Sequence, residues 1–420
     1  MLCSGKGRMM QSQQKSEIGS LTGLRGIAAL LVVIGHYSYW TAVTPLGVRP
    51  AWISPWAAAT PGIGMSIFFT LSGYVIALSY SHWDWRVRPA FNLVRFFSYR
   101  VARLYPAFFV FAVVVVLRTP TLQDLSDPQV LAYIAPHLLL LQSWLPVKFA
   151  GQFAGSGPFN VSWSLSTECG LYLMFGLAAI LAAFFPPWRR RSVAIGVAFS
   201  SATLVLLLLA WLLRHHLEPA EWTDAEWSGW LFYLSPFGIA VQFGIGVIAY
   251  RFSILPLLEN QARMASNFGA AGIAAVYLLC VAGIIREQVP QALLSGLSTG
   301  LLMAGAVSSS MVNRFLSRPG IIYVGTISYS LYLFHFVVPP IVFHGQFQTF
   351  DLTAAAYYAA NFIVSLALAI MLATGVYRLV EVPGRRAIRA AADRWLGVSQ
   401  PAHKKPPAAP GVVFVPRGKA

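Results

Sequence analysis

Charge is what this sequence has least of. Only 10% of its 420 residues are Asp, Glu, Lys or Arg, whereas 57% are hydrophobic. A soluble domain carries roughly a quarter of its residues charged, so a large soluble core is excluded and a chain dissolved mostly in lipid is expected. Acidic residues are scarcer still, 14 against 30 basic ones, which leaves a formal charge of +16. The basic residues sit in short clusters between apolar runs and form no single patch or stripe, which argues against a nucleic-acid partner. Cysteine is almost absent. Cys3, Cys169 and Cys280 are odd in number and far apart. Neither a disulfide framework nor a metal site is indicated, and the three read as small apolar fillers. No inverted repeat of the kind that marks many transporters is visible.

What is present is a series of long apolar runs. Those able to cross a bilayer, about 20 residues with tilt, lie at 21–41, 60–80, 101–118, 162–185, 192–214, 231–250, 267–285, 292–311, 321–343 and 354–377. No A-x-A-like cleavage site follows the first, Leu21–Trp40, so a retained helix is expected there. The fold class is therefore all-α, a polytopic membrane protein of about ten transmembrane helices with both termini cytoplasmic. With that orientation only Arg49, Arg118, Lys148, Arg214 and Arg286 of the 30 basic residues fall outside, as the positive-inside bias requires. A further stretch, Val130–Leu145, is interrupted by Pro136 and His137. Counting it as a span would put the Arg189–Arg191 triplet outside, so a re-entrant or interfacial helix is expected. Residues 1–17 form a cytoplasmic tail, 18–386 the membrane domain, and 387–420 a second cytoplasmic tail expected to be disordered. Trp222, Trp227 and Trp230 beside the outer loop read as an interfacial belt.

Ionisable groups within membrane runs are costly and usually functional. Thirteen of the fourteen carboxylates lie in loops, tails or helix ends; Glu168 is the exception. Arg25 and His36 are 11 residues apart, which returns them to within about 20° of one helical face at a rise of ~16 Å. Counting depth along straight helices puts Glu168 and His335 in the same layer as His36. A buried imidazole next to a carboxylate makes a general base, with the choice of histidine partner left open. Arg100 and Arg103, one turn apart at the start of the third run, form a candidate phosphate clamp. Glu381, at the inner end of the last run, is a candidate ion-pair partner for Arg25 or Arg100.

These residues fall in motifs that resemble the acyltransferase 3 family of bacterial membrane acyltransferases. Leu24-Arg-Gly-Ile-Ala-Ala-Leu-Leu-Val-Val-Ile-Gly-His36 is similar to the family's Arg, ten residues, His signature. Gly64-Met-Ser-Ile-Phe-Phe-Thr-Leu-Ser-Gly73, Arg100-Val-Ala-Arg103 with Pro106, Trp163-Ser-Leu-Ser-Thr-Glu168, Ile327-Ser-Tyr-Ser-Leu-Tyr-Leu-Phe-His335 and Glu381-Val-Pro383 follow in the family's order. Tyr99 stands where many members have another Arg, and Cys169-Gly170 replaces a more polar pair. The resemblance implies an acyl-CoA-dependent O-acyltransferase of the bacterial inner membrane, taking acyl-CoA (acetyl-CoA) from the cytoplasm to a glycan or lipid-linked sugar, with no metal. It implies catalytic roles for His36 and Glu168, donor binding by Arg25, Arg100 and Arg103, and supporting roles for His335, Tyr332, Ser164 and Glu381. Direct attack by the acceptor and a transient acyl-imidazole on His36 both remain open. A proton-coupled exporter would also place His and Glu at mid-membrane, but it needs discontinuous helices at a repeat interface.

Overall fold

The computed structural model describes residues 3–41, 53–144, 148, 157–184, 203, 205, 208, 212, 222–255, 258–306, 308–338 and 354–398. Among the described residues there is no strand. The helices are α1 (Cys3–Thr41), α2 (Ile53–Tyr80), α3 (Pro89–Arg118), α4 (Pro128–Leu138), α5 (Trp163–Ala183), α6 (Asp224–Gly229), α7 (Pro236–Ser253), α8 (Glu259–Val281), α9 (Gln288–Ala304), α10 (Met311–Leu316), α11 (Pro319–Phe334), α12 (Ala354–Val376) and α13 (Val382–Trp395). Among the described residues seven stretches are long and apolar enough to cross a membrane. They are Gly19–Ser38, Ala57–Tyr80, Pro89–Arg118, Asn160–Ala183, Glu226–Ser253, Glu259–Val281 and Ala359–Trp395. Helix content without strands follows from lipid as solvent, where every backbone N–H and C=O must be satisfied within the segment.

The expected runs at 292–311 and 321–343 are the shorter α9, of 17 residues, and α11, of 16. The run at 192–214, the Arg189–Arg191 triplet and the tail from 399 onward lie outside the described residues. The doubtful stretch at Val130–Leu145 does not span. Its helix, α4, has 11 residues, or ~16 Å of rise against a hydrocarbon core of ~30 Å. Beyond α4 the chain turns back, with Leu140 at φ 55°.

Two sequence readings are corrected. The second tail does not begin as disordered chain at 387, because α13 continues as helix to Trp395. The helix is fastened by Tyr99, whose hydroxyl donates to Asp393 Oδ1 at 2.5 Å while the Arg389 guanidinium lies 4.2 Å from the Tyr99 ring centroid. The tryptophans are not a lipid-facing belt either. Trp222, Trp227 and Trp230 are all buried, the rings of Trp227 and Trp230 lie 5.4 Å apart, and Trp230 Nε1 donates to the Ser143 carbonyl at 3.1 Å.

α1 packs between α2 and α11, and α2 packs in turn on α7 and α9. Lipid offers no hydrophobic force to press helices together, so close approach at small residues does this work. At Gly325 in α11 a Cβ would sit 1.8 Å from the Thr22 carbonyl oxygen of α1, and at Gly246 in α7 the same distance from that of Thr70 in α2. These contacts bring α1, α2, α5, α7 and α11 around one interior.

Candidate active site

Two cavities occupy that interior. The first, of about 680 Å³ including its open mouth, is lined by Arg25, Ser72, Arg100, Arg103, Glu168 and Tyr329, among others. The second, of about 1090 Å³ including its open mouth, is lined by His36, Asn160, Trp163, Glu226, Tyr233 and Gln288, among others. Met65 and Tyr332 line both, so they form the partition between an arginine chamber and a histidine chamber.

The 11-residue spacing in α1 places Arg25 in the one chamber and His36 in the other. In the arginine chamber Arg25 and Arg103 donate to no hydrogen-bond acceptor among the described residues, although each lies in the electrostatic field of Glu168 and Glu381. Arg100 is held differently. Its Nη2 donates to the Tyr80 hydroxyl at 2.8 Å, and its guanidinium lies 5.2 to 5.9 Å from the ring centroids of Tyr80, Tyr172 and Phe96. Aromatic faces thus carry part of its charge, while its buried Nε has no partner among the described residues. Glu168 Oε1 accepts from Ser72 Oγ at 3.0 Å and, closely, from the Tyr172 hydroxyl.

Glu381 is more deeply placed than a helix-end carboxylate, at 4% exposure. It sits on the π-helical turn Tyr377–Glu381, and Ser330 Oγ donates to its Oε2 at 2.7 Å. Arg103, Arg385 and Arg25 act on it through the field. It is fixed by a serine on α11, and among the described contacts it makes no close ion pair with Arg25 or Arg100.

In the histidine chamber the partner of His36 is His335. Their rings stack at 5.2 Å and 24°, with Nδ1 of His36 3.1 Å from Nε2 of His335. His335 Nδ1 lies 2.5 Å from the Tyr332 carbonyl. A carbonyl can only accept, so that nitrogen carries the proton and His335 Nε2 is left as an acceptor. His36 must then donate from Nδ1, and its lone pair resides on Nε2. This assignment follows from the hydrogen-bond network and not from observed hydrogens. Tyr37 in α1 adds a hydroxyl that donates to the His335 carbonyl at 2.9 Å, tying the end of α11 to α1.

The expected pairing of Glu168 with a histidine is therefore corrected: Glu168 lines the arginine chamber, and a second imidazole takes the carboxylate's place beside His36. The chain leading into α5 is already inside the protein. Phe159, Val161 and Ser162 are buried at 0 to 3% exposure, clamped by Gln142 Nε2 to the Ser162 carbonyl at 3.0 Å and Ser143 Oγ to the Trp163 carbonyl at 2.9 Å. Tyr332 and Ser164 meet at the partition, where their hydroxyls are 2.7 Å apart and lie 3.1 and 3.2 Å from the Val161 carbonyl.

A family profile described as an acyltransferase domain matches residues 18–374, most of the chain. The chain belongs to the acyltransferase 3 family. It is similar to an acyltransferase, MdmB, of Streptomyces mycarofaciens, 28% identical over 332 residues that cover 76% of this chain and 78% of that protein. It is also similar to nodulation protein 10 of Rhizobium leguminosarum bv. viciae, at 25% identity over 75% of this chain and 81% of that protein. A Staphylococcus aureus (strain COL) protein named as a proposed O-acetyltransferase is 24% identical over 88% of this chain, and the match spans 57% of its length. The chain is thus a multi-pass membrane acyltransferase.

Sequence reading missed Ser72 and Tyr172 as the groups that hold Glu168. Tyr172 is detectable in retrospect, standing one helical turn after Glu168 on the same face. Met65, Asn160, Tyr233 and Gln288 carry no such local signal, since only the tertiary fold brings them to a chamber. Among the described residues no group of His, Cys, Asp and Glu could hold a metal ion.

Proposed function

We propose that this protein is an O-acyltransferase of a bacterial inner membrane, with both termini cytoplasmic. It moves an acyl group, acetyl foremost, from cytoplasmic acyl-CoA to a hydroxyl of an extracytoplasmic glycan or lipid-linked sugar. One observation carries the reading: a chamber with two hydrogen-bond-deficient guanidiniums shares a wall with a chamber holding a tautomer-locked imidazole. Unpartnered guanidiniums inside a membrane protein demand an anion, and the planar fork of Arg suits phosphate. Arg25 and Arg103 supply that demand, with Arg100 nearby in its aromatic enclosure. The ~16 Å rise from Arg25 to His36 suits an extended thioester arm reaching past Met65 and Tyr332.

At the far end His36 Nε2 takes the proton of the acceptor hydroxyl. The oxygen attacks the thioester carbonyl, a C–O bond forms and the C–S bond breaks. The imidazolium then returns its proton to the departing thiolate. His335 positions the base throughout, its Nε2 stabilising the Nδ1–H of His36. Glu168, in the arginine chamber, balances the guanidiniums and holds them apart. The test is the protein in lipid nanodiscs with acetyl-CoA and an extract of the cell's own envelope glycans. Release of free thiol together with new O-acetyl groups by mass spectrometry is expected, and thiol release at the protein-free rate overturns the proposal.

A further inference from the structure

α13 carries a cationic face and an apolar face, and both are largely open. At about 100° per residue, Arg386, Arg389 and Arg394 fall within about 140° of the helix circumference, and Ala387, Ile388, Ala391 and Trp395 within about 100° on the other side. The three arginines are exposed. The helix's carboxylate, Asp393, is taken by the Tyr99 hydroxyl, and among the described residues none of the three arginines is in an ion pair. Arg389 lies over the Tyr99 ring, a stacking that leaves guanidinium N–H groups free to donate at its edge. On the apolar side Ala387 and Ala391 are exposed, and Trp395 is 76% exposed.

The place of α13 in the fold says what meets these faces. It ends the apolar stretch Ala359–Trp395, whose 37 residues rise ~55 Å against a hydrocarbon core of ~30 Å, so α13 stands in or beyond a headgroup layer. α3 reaches that layer with it. A Cβ on Gly384 would lie 2.6 Å from Pro106 Cβ, and further along α13 Asp393 meets Tyr99, nearer the start of α3. The end of α13 therefore lies beside the N-terminal end of α3, and α3, with 30 residues, is itself ~45 Å long. A headgroup layer supplies what each face lacks. Arginine forks bind phosphate oxygens, tryptophan settles at headgroup level, and basic amphipathic helices turn their apolar side to the acyl boundary and their cations to anionic lipid. A soluble polyanion would satisfy the arginines and leave Trp395 in water.

We infer that α13 docks on the anionic phospholipid headgroups of the leaflet at this end of α3, the cytoplasmic leaflet on the proposed topology. Arg386, Arg389 and Arg394 hold the phosphates, and Trp395 seats the end of the helix at the acyl boundary. The docking requires no acyl-transfer chemistry. Native mass spectrometry of the full chain tests it, with the protein released from micelles titrated with phosphatidylglycerol or with phosphatidylcholine of the same acyl chains. Preferential retention of phosphatidylglycerol is expected, weakened roughly fivefold for each arginine removed in Arg386→Gln, Arg389→Gln and the triple variant that adds Arg394→Gln. Arg86→Gln should retain the lipid as the wild type does, because Asp84 already matches that cation at 3.1 Å. Equal retention of the two lipids by the wild-type protein overturns the inference. So does undiminished phosphatidylglycerol retention by the triple variant, or a loss in Arg86→Gln as deep as the triple variant's. Trp395→Ala keeps every arginine and should still weaken lipid retention. Soluble glycerophosphoglycerol, added as a competitor, should displace the lipid poorly; displacement at equal concentration would mark a site for phosphate esters in water and overturn the docking on lipid.

Discussion

Replacing His335 by Ala separates the base from the residue that positions it. Two hydrogen bonds converge on the His335 ring, one to the Tyr332 carbonyl at 2.5 Å and one from His36 Nδ1 at 3.1 Å. Truncation removes one of the two acceptors that face the His36 ring, the Val32 carbonyl being the other, and so weakens the hold on the ring's orientation and tautomer. A buried donor deprived of its partner costs ~1–3 kcal/mol, which at about 1.36 kcal/mol per decade is roughly a 5- to 150-fold loss of kcat. The Val32 carbonyl, one turn back, still engages the His36 ring, so the loss stays below that of removing the imidazole. His36→Ala should forfeit the whole general-base contribution, roughly 10²–10⁴-fold. The assay is thiol release from acetyl-CoA by protein in nanodiscs, with kcat and KM determined separately. KM for acetyl-CoA should not move, because the arginine chamber is untouched, and His335→Gln should recover part of the rate by restoring an acceptor. Wild-type activity in His335→Ala, or a loss as deep as that of His36→Ala, refutes the division of labour.

Arg25→Gln and Arg103→Gln should each raise the acetyl-CoA KM by roughly 10- to 150-fold, the worth of a hydrogen bond to a charged group, and equal KM values would remove them from donor binding. Gly325→Ala should lower stability by about 1–3 kcal/mol or more, since the added carbon would lie 1.8 Å from the Thr22 carbonyl. Gly320→Ala, with nothing within 4 Å, is the matched control in the same thermal melt, and equal melting of the two would contradict the packing. A reporter fused after residue 190 should read as cytoplasmic; an external signal would invert the proposed topology.

The parts of this site that were legible in the sequence are those carried by a single helix. Arg25 and His36 share a face because 11 residues are close to three turns, and no tertiary knowledge is needed to see it. Arg100 and Arg103 could be paired for the same reason, but not distinguished: the aromatic enclosure of Arg100 is built from Tyr80, Phe96 and Tyr172, which come from three different helices. The partner of His36 was illegible for a related cause. Which side chains face Glu168 depends on how α5 is seated, and Gln142 and Ser143, far from it in sequence, hold its start at Ser162 and Trp163. The tryptophans misled through composition alone, since a cluster near a membrane boundary has the same sequence whether it faces lipid or protein.

The partition at Met65 and Tyr332 has an electrical consequence. Met65 is 5% and Tyr332 8% exposed, and the Tyr332 hydroxyl is engaged by Ser164 and the Val161 carbonyl. Were the two chambers joined by a continuous column of water, the enzyme would be a proton leak, dissipating about 2.3 kcal/mol per charge for every 100 mV across the bilayer. A thioether and a tethered phenol standing between the two chambers narrow the path that water could take from one to the other. On the proposed reaction, the acyl group would pass this narrowing as a neutral species, at no cost to the ionic gradient across the bilayer.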